Sequence, residues 1–224
     1  MKDKFFEGAD FKDKKFKALL PEFYPLEYQK YIEEETGLLK KQLSGAERVL
    51  EAGVGVGRII PEIAPLVNEF VGIDNADLML AEARKIAKKF PNVKIIRGDL
   101  ETLGTIFPED YFDYSLCIWN TLGNVKDELA VLTQLARVTL KGVIVTTYLR
   151  GTVENRKNWY KAVGVEIIKI DEQNDVFYSR TGLQSKSYGP KDMVDLARRA
   201  GICITNSRIL AGLILWTEFR KFPV

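Results

Sequence analysis

The sequence predicts an α/β fold built on a doubly wound, mostly parallel sheet. Short and almost wholly apolar runs recur along the chain, among them "RVLEA", "FVGID" and "FDYSLCIW". Segments with helical spacing separate them, and strands apolar on both faces belong in a sheet that helices cover on both sides. Three alternating glycines, in "EAGVGVGR", stand where the first run gives way to the first helix. With 224 residues, 46% of them hydrophobic, the chain can bury one full core, which suits one large domain with additions rather than two domains.

Each element has its own signal. Residues 1–45 are rich in lysine and aromatics and predict an N-terminal helical extension. Its helix over 25–43 carries Tyr28, Tyr31 and Ile32, then Leu38, Leu39 and Leu43, at three-to-four spacing. The main domain follows over 46–224. Arg48–Ala52 is its first strand, 58–66 opens its first helix, and 70–74 is the second strand. The helix over 76–90 places Met79, Ala83, Ile86 and Phe90 on one face. Asp77 stands in its first turn, Lys85, Lys88 and Lys89 near its end, and Pro91 stops it. Residues 93–96 and 111–119 are the third and fourth strands. Leu129, Leu132, Leu135 and Val138 mark another helix, and 142–149 the fifth strand. "VEIIKIDEQNDVFYSR" then reads as a hairpin inserted over about 165–180, turning at 173–175. Pro190–Ala200 is a helix with proline first and Gly201 just past its end. Strands Ile202–Leu210 and 213–222 close the chain, joined tightly at Ala211 and Gly212.

Composition narrows the chemistry. The chain has no histidine, which excludes Ser-His-Asp and Cys-His nucleophile schemes, His general bases and His-ligated metals. Cys117 and Cys203 match no metal-ligand spacing, so no metal is expected, and both read as reduced core residues of a cytoplasmic protein. "MKDKFFEGADFKDKK" is too charged for a secretory signal. No run approaches the roughly 18 apolar residues of a membrane span, so no membrane partner is expected. The net charge is only +2, and Asp3, Glu7, Asp10 and Asp13 offset most of the N-terminal lysines. A nucleic-acid partner is therefore not expected.

Three places carry the ligand chemistry. Gly53, Gly55 and Gly57 let a ligand approach the main chain at the head of a helix, or else simply make a tight turn. Their G-x-G-x-G spacing, with Arg58 where a further glycine would fall, departs from the G-x-G-x-x-G of dinucleotide dehydrogenases. Asp74 closes the second strand beside this loop, where a carboxylate suits a ribose diol. The plainer alternative is a cap for the next helix, a task Asn75 can also do. In "RGDL", Asp99 suits an exocyclic adenine amine and Leu100 the ring face, although Gly-Asp pairs are also common turn formers.

Taken in order, "VLEAGVGVG", "VGID", "RGDL" and "FDYSLCIWNTLGN" resemble the motifs of the class I S-adenosylmethionine-dependent methyltransferases, and "SKSYGPKDMVDLARRAGI" resembles that family's helix before its last two strands. The resemblance covers roughly 45–222 and implies a seven-stranded sheet with an antiparallel final strand. It implies S-adenosyl-L-methionine as cofactor, with Glu51 orienting the glycine loop and Gly53, Gly55 and Gly57 under the methionine portion. Asp74 with Asn75 would hold the ribose, and Asp99 and Leu100 would frame the adenine. Ile118, Trp119 and Asn120 would line the passage to the methyl group.

On the acceptor side, the family's Asn/Asp-Pro-Pro-aromatic run for nucleobase amines is missing from "IWNTLGN". Trp119, Asn120 and Asn124 suggest a small polar acceptor site, unless Trp119 is a core ring and the asparagines turn residues. Tyr148 and Arg150 are expected to face the same crevice, with Arg150 suited to an anion or to the open surface. Arg58 reads first as a helix-surface charge. Methyl transfer from a sulfonium asks for alignment and desolvation, so no catalytic base is singled out. Phe5, Phe6, Phe11, Phe16, Phe23, Tyr24, Tyr28 and Tyr31 suggest either a lid or packing against the sheet. The expectation is a methyltransferase for a small-molecule acceptor. Its alternatives are a non-catalytic adenosyl-binding module and a methyltransferase for RNA or protein.

Overall fold

The computed structural model describes residues 24–222. The aromatics of residues 5–23 and the lid expected there lie outside them. Helix α1 (Leu26–Leu43) leads into strand β1 (Arg48–Ala52). There follow α2 (Ile60–Ile63), β2 (Glu69–Asp74), α3 (Asp77–Ala87), β3 (Val93–Arg97), α4 (Leu103–Ile106) and β4 (Phe112–Cys117). The chain continues through α5 (Thr121–Asn124), α6 (Glu128–Val138), β5 (Thr139–Tyr148) and α7 (Val153–Ala162). A small sheet of β6 (Ile167–Asp171), β7 (Val176–Ser179) and β8 (Gln184–Lys186) precedes α8 (Pro190–Ala200), β9 (Ile202–Leu210) and β10 (Ile214–Lys221).

The main sheet has seven strands in the order β3-β2-β1-β4-β5-β10-β9. β1 to β5 run parallel, and β10 runs antiparallel to both β5 and β9. Alternate residues of a strand face opposite sides, and β1 shows this directly. Val49 joins a core with Tyr28, Tyr31 and Leu39 of α1 and Met79 and Leu80 of α3. Leu50 joins the opposite core with Leu132 and Leu135 of α6 and Met193 and Leu196 of α8. The strand order reverses between β1 and β4, so a crevice opens past the carboxyl ends of these two strands, where sheets of this kind bind ligands.

Several boundaries differ from the expected ones for identifiable reasons. The helix predicted over 58–66 is only α2 followed by a 3₁₀ turn at Ala64–Leu66. Pro65 has no N–H to continue the helical ladder. β4 stops at Cys117 rather than 119 because Trp119 and Asn120 take φ of 55° and 61°, left-handed values that no strand accommodates. β5 begins at Thr139 instead of 142. Cys117 is buried as a core residue, whereas Cys203, on the edge strand β9, is only half-buried. The predicted hairpin is present as β6 and β7, and Gln184–Lys186 adds a third strand to it. Helix α7 was not anticipated. Its sequence, "VENRKNWYKA", is mostly polar, with Trp159 and Tyr160 as its buried apolar residues, yet Arg156 is fully buried as well. That guanidinium donates to Asp175 Oδ1 at 2.7 Å and to the Ser185 carbonyl at 2.6 Å, and lies 4.1 Å from the Phe177 ring centre. It pins the small sheet to α7.

Candidate active site

A cavity of about 510 Å³ lies at the carboxyl edge of β1, β2 and β4, with the glycine loop along one wall. Gly53, Gly55 and Gly57 have φ of 79°, 52° and 85°, all in the left-handed region that disfavours side chains. Their surroundings separate their tasks. A Cβ on Gly57 would stand 2.8 Å from Ile60 Cδ1 and 3.2 Å from Ala83 Cα, so this glycine lets α2 approach α3. A Cβ on Gly53 would strike the Thr121 side chain. A Cβ on Gly55 would meet nothing within 4 Å, because Gly55 faces the open cavity. Gly57 does not line it.

Asp74 anchors this loop. Its Oδ2 accepts the Gly55 N–H at 2.9 Å and its Oδ1 accepts the Ala76 N–H at 3.0 Å, just before α3. Both tasks left open by the sequence, facing the crevice and steadying the helix entrance, thus fall to one carboxylate. Burial raises its pKa, while the Ala76 and Gly55 N–H groups oppose the shift. Each oxygen retains a lone pair. Asn75 lines the cavity beside it, exposed.

Glu51 does not orient the loop by any hydrogen bond. It is 3% exposed, lines the cavity, and its Oε2 is buried without a hydrogen-bond partner among the described residues. Burial pushes its carboxyl well above the usual range; Arg58 opposes this, and the Glu35 and Asp74 carboxylates add to it. A buried carboxyl oxygen that faces a cavity without a donor is free to accept one from a ligand.

Arg58 is not a surface charge. Its Nη2 donates to Glu35 Oε2 at 2.5 Å, and its guanidinium lies 5.4 Å from the Trp119 ring centre. Burial works against its charge, but Glu35 and the nearby Tyr31 outweigh that and keep it protonated. Trp119, held by its N–H to Thr146 Oγ1 at 2.9 Å, stacks on Tyr24 at 5.1 Å and Tyr31 at 5.2 Å. Tyr24, Trp119 and the buried Ile118 line the cavity together. At its other end Leu100 is nearly buried, while the exposed Asp99 accepts the Glu101 N–H at 2.9 Å and starts a 3₁₀ turn.

Three expected residues are placed elsewhere. Asn120 is 1% exposed and serves as a tie: its Oδ1 accepts the Tyr148 N–H at 3.0 Å and its Nδ2 donates to Ser185 Oγ at 3.1 Å. Tyr148 is buried under the Arg156 guanidinium, away from the cavity. Arg150 pairs with Asp192 at 3.0 Å, bridging to the start of α8. Asn124 does line the cavity. So do Arg97 and Thr121, which fall inside the motifs but were given no role, Val125 and Lys126, which lie outside them, and Tyr24, whose aromatic character was visible. Glu35 was missed because a glutamate on a predicted helix reads as solvated.

Comparison with known proteins places this geometry. Residues 49–142 match the family model described as a methyltransferase domain. The fold is that of the class I S-adenosylmethionine-dependent methyltransferases, and the matched residues run from β1 into the start of β5. The chain is 31% identical over 109 residues to the uncharacterized methyltransferase YcgJ of Bacillus subtilis (strain 168). That match takes in 47% of this chain and 42% of the relative, so the chain spans less than half the length of the curated relative it matches. Among solved structures, PH0226 from Pyrococcus horikoshii OT3 superposes with a TM-score of 0.69 at 23% identity, covering 89% of this chain and 94% of that one. The 1,6-didemethyltoxoflavin-N1-methyltransferase of Burkholderia thailandensis, solved with 1,6-didemethyltoxoflavin and S-adenosylhomocysteine bound, superposes at 0.66 with 15% identity, covering 86% and 79%. At these identities the structural likeness speaks for the fold. No helix among the described residues is long and apolar enough to cross a membrane.

Proposed function

We propose that this chain transfers a methyl group from S-adenosyl-L-methionine to a small-molecule acceptor. The observation that carries the reading is the buried Glu51 Oε2, without a hydrogen-bond partner among the described residues, lining the same cavity as the Asp74-anchored glycine loop. The residues present fit the cofactor. Glu51 would receive the ammonium of the amino-acid portion, and the free lone pairs of Asp74 the ribose hydroxyls. The open backbone at Gly55 would lie under the chain between them, and Asp99 and Leu100 would meet the base. When bound, the cofactor supplies an electrophilic methyl group on a sulfonium.

The protein's share is then alignment and exclusion of water. Ile118, Trp119 and Tyr24 wall the end of the cavity near Glu51, and Trp119 is fixed by its backbone bond to Thr146 and by its aromatic neighbours. Alignment of this kind contributes roughly 7–11 kcal/mol to such a displacement. Without a histidine, an acceptor atom with an available lone pair suits the site better than one that must first lose a proton. A small acceptor is favoured by the ring-walled end of the cavity and the nearly balanced charge. The two unpaired cysteines suit a reducing, cytoplasmic setting.

Parallel calorimetric titrations with S-adenosylmethionine, S-adenosylhomocysteine and NAD test this reading. The two adenosyl ligands should bind and NAD should not. Binding of NAD alone would overturn it. Adenosyl binding with no methylated product across a panel of small amines would point to a binding module instead.

A further inference from the structure

We propose that Glu35 holds Arg58 away from Glu51, so that the Glu51 carboxylate stays unpaired for the ammonium group of the ligand. The inference rests on the cofactor reading above and adds a positioning residue outside the cavity wall.

Three charged side chains are withdrawn from solvent here. Glu35 is fully buried, Glu51 is 3% exposed, and the Arg58 side chain retains 13%. Their spatial arrangement is uneven. Arg58 is joined to Glu35 at 2.5 Å, whereas Glu51 Oε2 has no partner among the described residues although Arg58 lines the same cavity. A guanidinium near a buried carboxylate ordinarily pairs with it, because five fixed donors and a full charge gain most there. Glu35 prevents this by taking the guanidinium first.

Glu35 is itself held from two sides. Its Oε1 accepts the Tyr31 hydroxyl, one turn earlier on α1, and the Thr146 hydroxyl from β5 at 2.8 Å. Thr146 Oγ1 also accepts the Trp119 N–H. Glu35 therefore cannot follow Arg58 if the arginine swings toward Glu51 without breaking its bonds to Tyr31 and to Thr146 of β5. Counted together, Glu35, Arg58 and Glu51 in their ionised forms carry one uncompensated negative charge, at Glu51. A ligand ammonium supplies the missing cation. Without Glu35, Arg58 would neutralise Glu51 directly, and the ligand would have to displace it.

The test compares two ligands that share the nucleoside and thioether: S-adenosylhomocysteine, which carries the ammonium, and 5′-methylthioadenosine, which lacks the amino-acid group. Wild-type protein should bind the first more tightly. Glu35→Gln should weaken S-adenosylhomocysteine about tenfold, the effect of roughly 1.4 kcal/mol, and leave 5′-methylthioadenosine within twofold. A second variant, Glu35→Gln with Arg58→Met, removes the competing cation and should restore the preference, which also covers the case in which the single variant folds poorly. Equal loss for both ligands, no loss for either, or no restoration in the double variant would overturn the proposal. Wild-type protein that binds neither ligand would instead overturn the cofactor reading, and this inference with it.

Discussion

Replacing Asp74 with alanine probes the site most directly. In the ligand-free protein the change removes the acceptor for the Gly55 N–H at 2.9 Å and the Ala76 N–H at 3.0 Å. If Asp74 holds the ribose as proposed, the change also removes the acceptor for two ribose hydroxyls. Hydrogen bonds to a charged group contribute about 1.5–3 kcal/mol each. The carboxylate, however, is already partly desolvated, as its raised pKa shows, and losing it relieves that cost. A net loss of about 1–3 kcal/mol in adenosyl binding follows, a roughly 5- to 150-fold weaker Kd. Calorimetric titration with S-adenosylhomocysteine and with its 2′,3′-dideoxy analogue measures it. The variant should lose affinity for the first and little for the second. A Kd within twofold of wild type would refute the ribose assignment. Equal losses for both ligands would show that Asp74 only holds the loop.

Other outcomes follow from the same geometry. Gly55→Ala should cost about 1–2 kcal/mol in backbone strain and weaken ligand binding. Gly57→Ala, forced against Ile60 and Ala83, should lower the thermal midpoint further while affecting ligand binding less; the reverse ranking would contradict their separate tasks. Arg156→Met leaves Asp175 buried without its cation and should destabilise the fold by about 3–5 kcal/mol in urea unfolding. Because burial raises the Glu51 pKa, the folded protein holds that proton more tightly than the unfolded chain. Its contribution is full below the ordinary value of 4.5 and is lost as pH rises through the raised one. Thermal midpoints of ligand-free Glu51→Gln should accordingly fall less steeply than wild type over that rise. Burial pushes the Cys117 thiol up to about 12, so a thiol reagent near neutral pH should label Cys203 and spare Cys117 in the native protein.

The elements legible in the sequence were those whose neighbours are local. β1, β2 and α3 follow from apolar runs, a helical face and Pro91, all within a few residues. The antiparallel end of the sheet was readable from the tight Ala211–Gly212 turn between two strands. Illegible were the features that depend on distant partners. Arg156 reads as a solvated helix charge until Asp175 and Ser185 are brought to it. Glu35 reads the same way until Arg58 and Thr146 converge on it. Asn120 looked like a ligand contact because it ends a strand at the crevice; its left-handed backbone turns the amide inward to the β5 main chain and to Ser185. Glycine spacing located the loop, but not which of the three glycines faces the cavity. That depended on Thr121, Ile60 and Ala83.

The order of the last strands constrains how the molecule assembles. β9 occupies the rim of the sheet yet precedes β10, the strand that joins it to β5. β9 therefore has no strand to pair with in the sheet until its successor exists, and the short turn between them lets the two dock on the β5 edge as a hairpin. Trp216 sits in that seam, 1% exposed. Its fluorescence should change in a late kinetic phase, after the parallel half has condensed, and a peptide copying β10 should compete for the waiting edge during refolding.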